Sequence, residues 1–142
     1  MVPATSQRAK VARPRAQGTQ TAIPCWFMRG GTSKGPFFRA DDLPEDAVTR
    51  DAILLASMGS PDPRQIDGLG GATPLTSKAG IVAISERNDA DLEFQFAQLQ
   101  PNSDVVDLTP NCGNMLAAVV PFAGVTLPGI VYSALTGGGL LA

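Results

Sequence analysis

Histidine is absent from the 142-residue chain. Ser–His and Cys–His nucleophile pairs and the common zinc sites need an imidazole, so these chemistries are close to excluded and we expect no metal site. There are two cysteines, Cys25 and Cys112, and no apolar segment of the secretory type follows the basic residues near the start. We therefore expect two reduced thiols in a cytoplasmic protein.

Charged residues are scarce, at 17% of the chain, and unevenly placed. The first 22 residues contain four of the 11 basic side chains and no acidic one, so the remainder is acidic and offers no broad basic surface for nucleic acid. Residues 1–22 also lack apolar periodicity, which predicts a disordered basic tail. An organellar transit peptide is the alternative interpretation of these arginines.

The C-terminal segment has no charged residue from position 108 onwards. A membrane helix over residues 116–135 would have the right length of about 20 residues. It would also contain two prolines and two glycines, which argue against it. We expect no membrane insertion and interpret residues 124–142 as a divergent apolar tail.

The 15 glycines and 12 prolines indicate many short elements rather than a helical bundle. Apolar runs on either side of MRGGTSKG, beginning at Ile23, predict a strand, a loop and a second strand. Residues 44–58 predict a helix, with Val48, Ala52, Leu55 and Ala56 at helical spacing. The sequence further predicts a hairpin of strands 80–85 and 92–99, and a helix over residues 115–120.

Three polar segments marked by glycine could bind an anion with free backbone amides: MRGGTSKG, GGATPLTSK and NCGN. The first is not a phosphate-binding P-loop, because the order is Thr-Ser-Lys-Gly rather than Gly-Lys-Ser/Thr. Arg29, Thr32 and Ser33 could bind carboxylates there, and a tight turn with solvated side chains is the alternative. The second segment closes a long loop, residues 59–78, of a length that usually has a functional reason.

Cys112 and Lys78 are the candidates for proton transfer. Cys112 lies at the start of the last predicted helix, after Asn111 as the expected N-cap, where free N–H groups favour a thiolate. A buried structural thiol is the alternative. Lys78 begins a predicted strand, and a partly desolvated lysine can act as acid or base, although most loop lysines are solvated.

The ordered set of MRGGTSKG with FF, MGSPDPRQIDGLGG, LTSK and NCGNMLAAVVPFA resembles the family of methylaconitate isomerases and oxalomesaconate tautomerases over residues 23–123. These proteins are similar in fold to diaminopimelate epimerase, with two halves that each wrap a curved mixed sheet around a central helix. The resemblance therefore implies an α+β fold, here one such half. It also implies no metal, no organic cofactor and a 1,3-proton shift on an unsaturated di- or tricarboxylic acid.

Such a shift needs a base, an acid, and cations or amides that hold the carboxylates. The resemblance implies that Lys78 is the principal acid/base and Cys112 the second proton-transfer group. The other side chains and amides of the matching motifs would bind substrate: Arg29, Thr32, Ser33, Ser77, Asn111, Gly113 and Asn114.

The chain departs from the family pattern after PFA, where an uncharged segment replaces a long second half. Residues 23–123 are thus expected to form the N-terminal lobe without its partner lobe, and a cleft between two lobes requires both. Two alternatives stay open: a non-catalytic half-domain that binds carboxylates, and an amino-acid epimerase that uses facing cysteines. The expected partner is a small di- or tricarboxylate, and self-association into a homo-oligomer is left open.

Overall fold

The computed structural model describes residues 15–17 and 19–127, which form a mixed sheet with helices on both faces and a separate small hairpin. The strands are β1 (Arg15–Gln17), β2 (Gln20–Ala22), β3 (Trp26–Gly30), β4 (Ser33–Arg39), β5 (Lys78–Ile84), β6 (Leu92–Leu99) and β7 (Val106–Asp107). The helices are α1 (Ala47–Met58), α2 (Gly113–Leu116) and α3 (Val119–Thr126), with a 3₁₀ turn at Ala40–Asp42.

The main sheet has five strands in the order β3-β4-β5-β6-β7. The β4–β5 pair is parallel, and the other neighbouring pairs are antiparallel. A parallel pair needs a crossover connection, and α1 with the long loop after it supplies one. The predicted strand–loop–strand around MRGGTSKG and the hairpin of the two later strands are both confirmed, as is the α+β class with a mixed sheet.

Helix α1 begins after Asp46, whose carboxylate accepts a hydrogen bond from the Thr49 amide at 2.8 Å, and ends at Gly59 in the left-handed conformation. The predicted helix is confirmed. Of the four residues at helical spacing, Leu55 packs against the core, whereas Val48 is 79% exposed. Leu54 and Met58 are fully buried and bury more apolar surface than the alanines do.

Because side chains alternate along each strand, the hydrophobic core lies in two parts, one on each face of the sheet. Phe37 and Phe38 are neighbours in β4 and point to opposite faces, into two separate clusters. The α1 core contains Phe38, Leu43, Leu54, Met58, Ala79, Ile81, Ala97 and Leu99. The α2–α3 core contains Phe37, Val82, Phe96, Met115, Ala118, Val119, Phe122, Ala123 and Leu127.

The predicted single helix over residues 115–120 is wrong. The structure has two short helices, α2 and α3, and the N-cap of α2 is Cys112 rather than Asn111. Pro121 lies in the first turn of α3, where its missing N–H leaves no helical hydrogen bond unmade. A proline is thus tolerated there, whereas in the middle of one continuous helix it would disrupt a hydrogen bond.

The two ends of the described chain differ from the sequence expectations. Within the segment predicted to be disordered, β1 pairs with β2 as an antiparallel hairpin. At the other end α3 continues through Thr126, and Leu127 is buried, so the core extends past the predicted boundary at residue 123. The rest of these two predictions, on residues 1–14, 18 and 128–142, lies outside the described residues. No helix within residues 15–17 and 19–127 is long and apolar enough to cross a membrane.

Candidate active site

Lys78, Ser33 and Cys112 meet on the face of the sheet that α2 covers. Lys78 opens β5, and its side chain lies on the same face as Val82, over the ring of Phe96 with Nζ 5.2 Å from the centroid. Ser33 opens β4 on that face, two residues from Gly35. A Cβ at Gly35 would overlap the carbonyl oxygen of Lys78, so glycine there lets β4 approach β5 closely.

Cys112 is in contact with both of these side chains. The Lys78 ammonium donates to the Cys112 sulfur at 3.5 Å, and the Ser33 hydroxyl lies 3.9 Å from the same sulfur. Lys78 is 9% exposed and Ser33 is fully buried, whereas Cys112 is half-buried. Cys112 is therefore the most exposed of the three residues.

The environment of Cys112 favours its thiolate. Burial raises the pKa of the Cys112 thiol, but hydrogen bonds from the Met115 amide and the Ser33 hydroxyl, together with the Lys78 ammonium, lower that pKa by more. The net result is a pKa below that of an ordinary thiol. The site thus places a thiol whose thiolate form is favoured in direct contact with the Lys78 ammonium.

The glycines of MRGGTSKG allow the β3–β4 turn to pack closely against α2. A Cβ at Gly30 would overlap the Asn114 carbonyl oxygen, and a Cβ at Gly31 would overlap the Asn114 side chain. Gly31 also has a φ of 51°, which glycine adopts without strain. In this position the Asn114 amide donates to the Thr32 hydroxyl at 2.9 Å. The segment is a tight turn, and its tightness brings Thr32 and Ser33 beside α2.

Five of the nine predicted site residues therefore lie in one group: Thr32, Ser33, Lys78, Cys112 and Asn114. Gly113 adjoins them at the first position of α2, where helix geometry leaves its N–H without an intrahelical acceptor. Asn111 is exposed next to Cys112.

The structure does not bring Arg29 or Ser77 into this group. Met28 packs against the α2–α3 core, so its neighbour Arg29 points to the opposite face of β3, beside Lys34 on the paired strand. Ser77 is fully buried, and its hydroxyl donates to the Gln65 side chain at 2.8 Å. The motifs do not contain the direction of either side chain, and a role of Arg29 and Ser77 in substrate binding stays a prediction.

Two buried residues near the site were missed. Phe96 supports Lys78 from the neighbouring strand, two residues before Gln98, which pairs with Lys78. The predicted hairpin began at residue 80 and specified no register, so it did not indicate this contact. Gln65 is 1% exposed within the long loop. Its burial had no signal in the sequence, because the groups that contact its amide come from other parts of the chain.

Metal binding finds no support among the residues that the structure describes. In that part of the chain, no group of three or more His, Cys, Asp or Glu side chains could hold a metal ion. The charge in the site is supplied by the Lys78 ammonium and the Cys112 thiol. The expectation that the protein works without an organic cofactor stays a prediction.

A family model described as PrpF protein matches residues 20–134, and the chain belongs to this family. It is 59% identical over 104 residues to 4-oxalomesaconate tautomerase of Pseudomonas putida, covering 73% of this chain and 29% of that protein. It is 54% identical over 104 residues to 3-methylitaconate isomerase of Eubacterium barkeri, covering 73% and 27%. The resemblance drawn from the motifs is confirmed, and the family is one of isomerases and tautomerases.

The fold is also found in a solved structure. The crystal structure of methylitaconate-delta-isomerase matches with a TM-score of 0.69 and 54% identity, over 71% of this chain and 26% of that one. A 2-methyl-aconitate isomerase of Cupriavidus necator is 51% identical over 110 residues, with 28% of its length covered. The chain thus spans less than a third of the length of these relatives.

The two cysteines should differ in reactivity at neutral pH. Cys25 is exposed as a residue but lines a small cavity of about 30 Å³, and burial raises the pKa of its thiol. The pKa of Cys112 is lowered. We expect iodoacetamide to modify Cys112 faster than Cys25 at pH 7, because the thiolate is the nucleophile. Peptide mass spectrometry at timed intervals measures both rates in one sample, and faster modification of Cys25 would contradict the assignment.

Proposed function

We propose that the chain provides the Cys112–Lys78 part of an active site that moves a proton between two carbons of an unsaturated di- or tricarboxylic acid. The contact between the Lys78 ammonium and the Cys112 sulfur at 3.5 Å carries the proposal. The names of the relatives support it, because oxalomesaconate, methylitaconate and methylaconitate are all unsaturated carboxylic acids. Since the chain spans less than a third of those proteins, the complete activity is part of the proposal.

In the proposed reaction the Cys112 thiolate removes a proton from a C–H bond next to a carboxylate. The electron pair released forms a new double bond as the old one opens, and the Lys78 ammonium delivers a proton to the far end of the three-carbon system. Cys112 is then a thiol and Lys78 an amine. A proton that passes across their contact restores both groups for the next turnover.

The substrate carboxylates need donors close to this pair. We assign this role to the Thr32 hydroxyl and the Gly113 N–H, because Thr32 and Gly113 are the chain neighbours of Ser33 and Cys112. They would stabilise the charge that develops on a carboxylate as the proton leaves. An amino-acid epimerase with two facing cysteines is not favoured, because neither of the two cavities that Cys25 lines includes Cys112.

Deuterium exchange tests the proposal directly. The purified chain is incubated in D₂O with methylitaconate, methylaconitate or oxalomesaconate, and proton NMR follows the allylic hydrogens. We expect exchange with at least one acid, its loss in Cys112→Ser, and no loss in the matched control Cys25→Ser. Exchange that survives Cys112→Ser would refute the proposed base. Binding by calorimetry without any exchange would instead favour the non-catalytic carboxylate-binding domain.

A further inference from the structure

The loop between α1 and β5, residues 59–77, is organised around one buried side chain. Gln65 is 1% exposed and has a φ of 48°, in the left-handed region that residues other than glycine seldom adopt. Such a conformation persists where the surrounding structure holds it in place. The site described above does not include Gln65, and none of its contacts is with Lys78 or Cys112.

Each polar atom of the Gln65 side chain has a partner. The oxygen Oε1 accepts from the Ala72 amide at 2.8 Å and from the Ser77 hydroxyl at 2.8 Å. The nitrogen Nε2 donates to the Ser60 hydroxyl at 3.1 Å, which in turn donates to the Gln100 carbonyl at 3.0 Å. One side chain therefore joins the start of the loop, its last residue and the end of β6.

Two glycines allow the loop to pack closely at and beside this side chain. A Cβ at Gly70 would overlap the Gln65 amide, and a Cβ at Gly68 would overlap the backbone of Met58 and Gly59. Close packing of this kind transmits a displacement rather than absorbing it. Movement of Gln65 would therefore shift the backbone segments that it joins.

Ser77 connects Gln65 to the active site. Its carbonyl oxygen accepts from the Leu99 amide at 2.9 Å and from the Gln98 side chain at 3.1 Å, while its hydroxyl donates to Gln65. Hydrogen bonds therefore fix both the backbone and the side chain of Ser77. The next residue is Lys78, whose side chain leaves β5 on the opposite face and reaches Cys112.

We infer that Gln65 is a positioning residue, which fixes the start of β5 so that the Lys78 ammonium stays in contact with the Cys112 sulfur. It acts through Ser77 and touches no reacting group. The effect of Gln65 on catalysis rests on the function proposed above. The effect of Gln65 on the Cys112–Lys78 contact is independent of that proposal.

The pH dependence of Cys112 alkylation, measured by peptide mass spectrometry, tests this inference without requiring turnover. Lys78 is the charged group that the structure places against Cys112, so loss of its contact raises the midpoint of the alkylation curve. In Gln65→Met, which preserves the side-chain length and removes the hydrogen bonds, we expect a higher midpoint and a several-fold lower rate at pH 7. Ile66→Ala is the matched control, because Ile66 is adjacent and 65% exposed.

The same substitution made in a Lys78→Met chain distinguishes a positioning role of Gln65 from a general structural role. In Lys78→Met, where the ammonium is already absent, Gln65→Met should leave the Cys112 midpoint unchanged. A Gln65→Met chain that melts at a lower temperature but keeps the native midpoint would overturn the inference. If Gln65→Met does not fold, Ser77→Ala, which removes a single hydrogen bond to Gln65, provides the same test. Absence of isomerase activity in the native chain would overturn the proposed function and leave this result intact.

Discussion

Replacing Phe37 by alanine is expected to lower the free energy of unfolding by about 3–5 kcal/mol, the range for deleting a buried aromatic ring. Phe37 is fully buried and lies between the sheet and α3, with ring centroids 6.3 Å from Phe94 and 5.7 Å from Phe122. The cavity that remains would be enclosed on both sides. Urea denaturation followed by circular dichroism measures the change.

Phe27→Ala is the matched control for this prediction. Phe27 lies in the paired strand β3 and is 47% exposed, so its removal leaves an open surface rather than a cavity. We expect a loss well below that of Phe37→Ala. Equal losses for the two variants would mean that the core beneath α3 contributes no more to stability than the edge strand does.

Replacing Lys78 by methionine is expected to reduce deuterium exchange or turnover by about 10²–10⁴-fold, the usual contribution of a general acid or base. Methionine keeps most of the apolar stem that packs over Phe96, so the loss would reflect the ammonium rather than the fold. The same substitution should slow the alkylation of Cys112 at pH 7, because the ammonium helps to lower the pKa of the thiol.

Lys34→Met is the matched control for Lys78→Met. Lys34 also lies over an aromatic ring, with Nζ 5.7 Å from the Phe27 centroid, but it points to the other face of the sheet, away from Cys112. We expect activity and Cys112 reactivity close to those of the native chain. A similar loss in both variants would indicate a general electrostatic effect of removing a cation, and would contradict the specific role of Lys78.

The sequence predicts those features of this fold that depend on neighbouring residues. The hairpin of β5 and β6 follows from two apolar runs and a polar turn, whereas NCGN indicated a helix start near Cys112 but gave the wrong N-cap. Lys78 and Cys112 were both identified from their motifs, and the structure brings them into contact. Local patterns were sufficient for these predictions.

The features that the sequence does not predict depend on contacts between distant segments. The direction of Arg29 depends on which face of β3 the α2 helix covers, and the partner of Ser77 is a glutamine 12 residues earlier in the chain. The sheet likewise determines which residues of α1 are buried, and Leu54 and Met58 are the ones that pack on it. Burial and direction are properties of the assembled layers, and a single motif does not contain them.

The open space beside Gly113 allows the site to be examined by substitution at that position. A Cβ at that position would meet nothing within 4 Å, although Gly113 immediately follows Cys112. Alanine can therefore be placed there without disturbing the packing of the described residues, and it begins a series of side chains of graded size. Ligand affinity measured across such a series would report, in steps of one or two carbon atoms, how closely a bound acid approaches the first turn of α2.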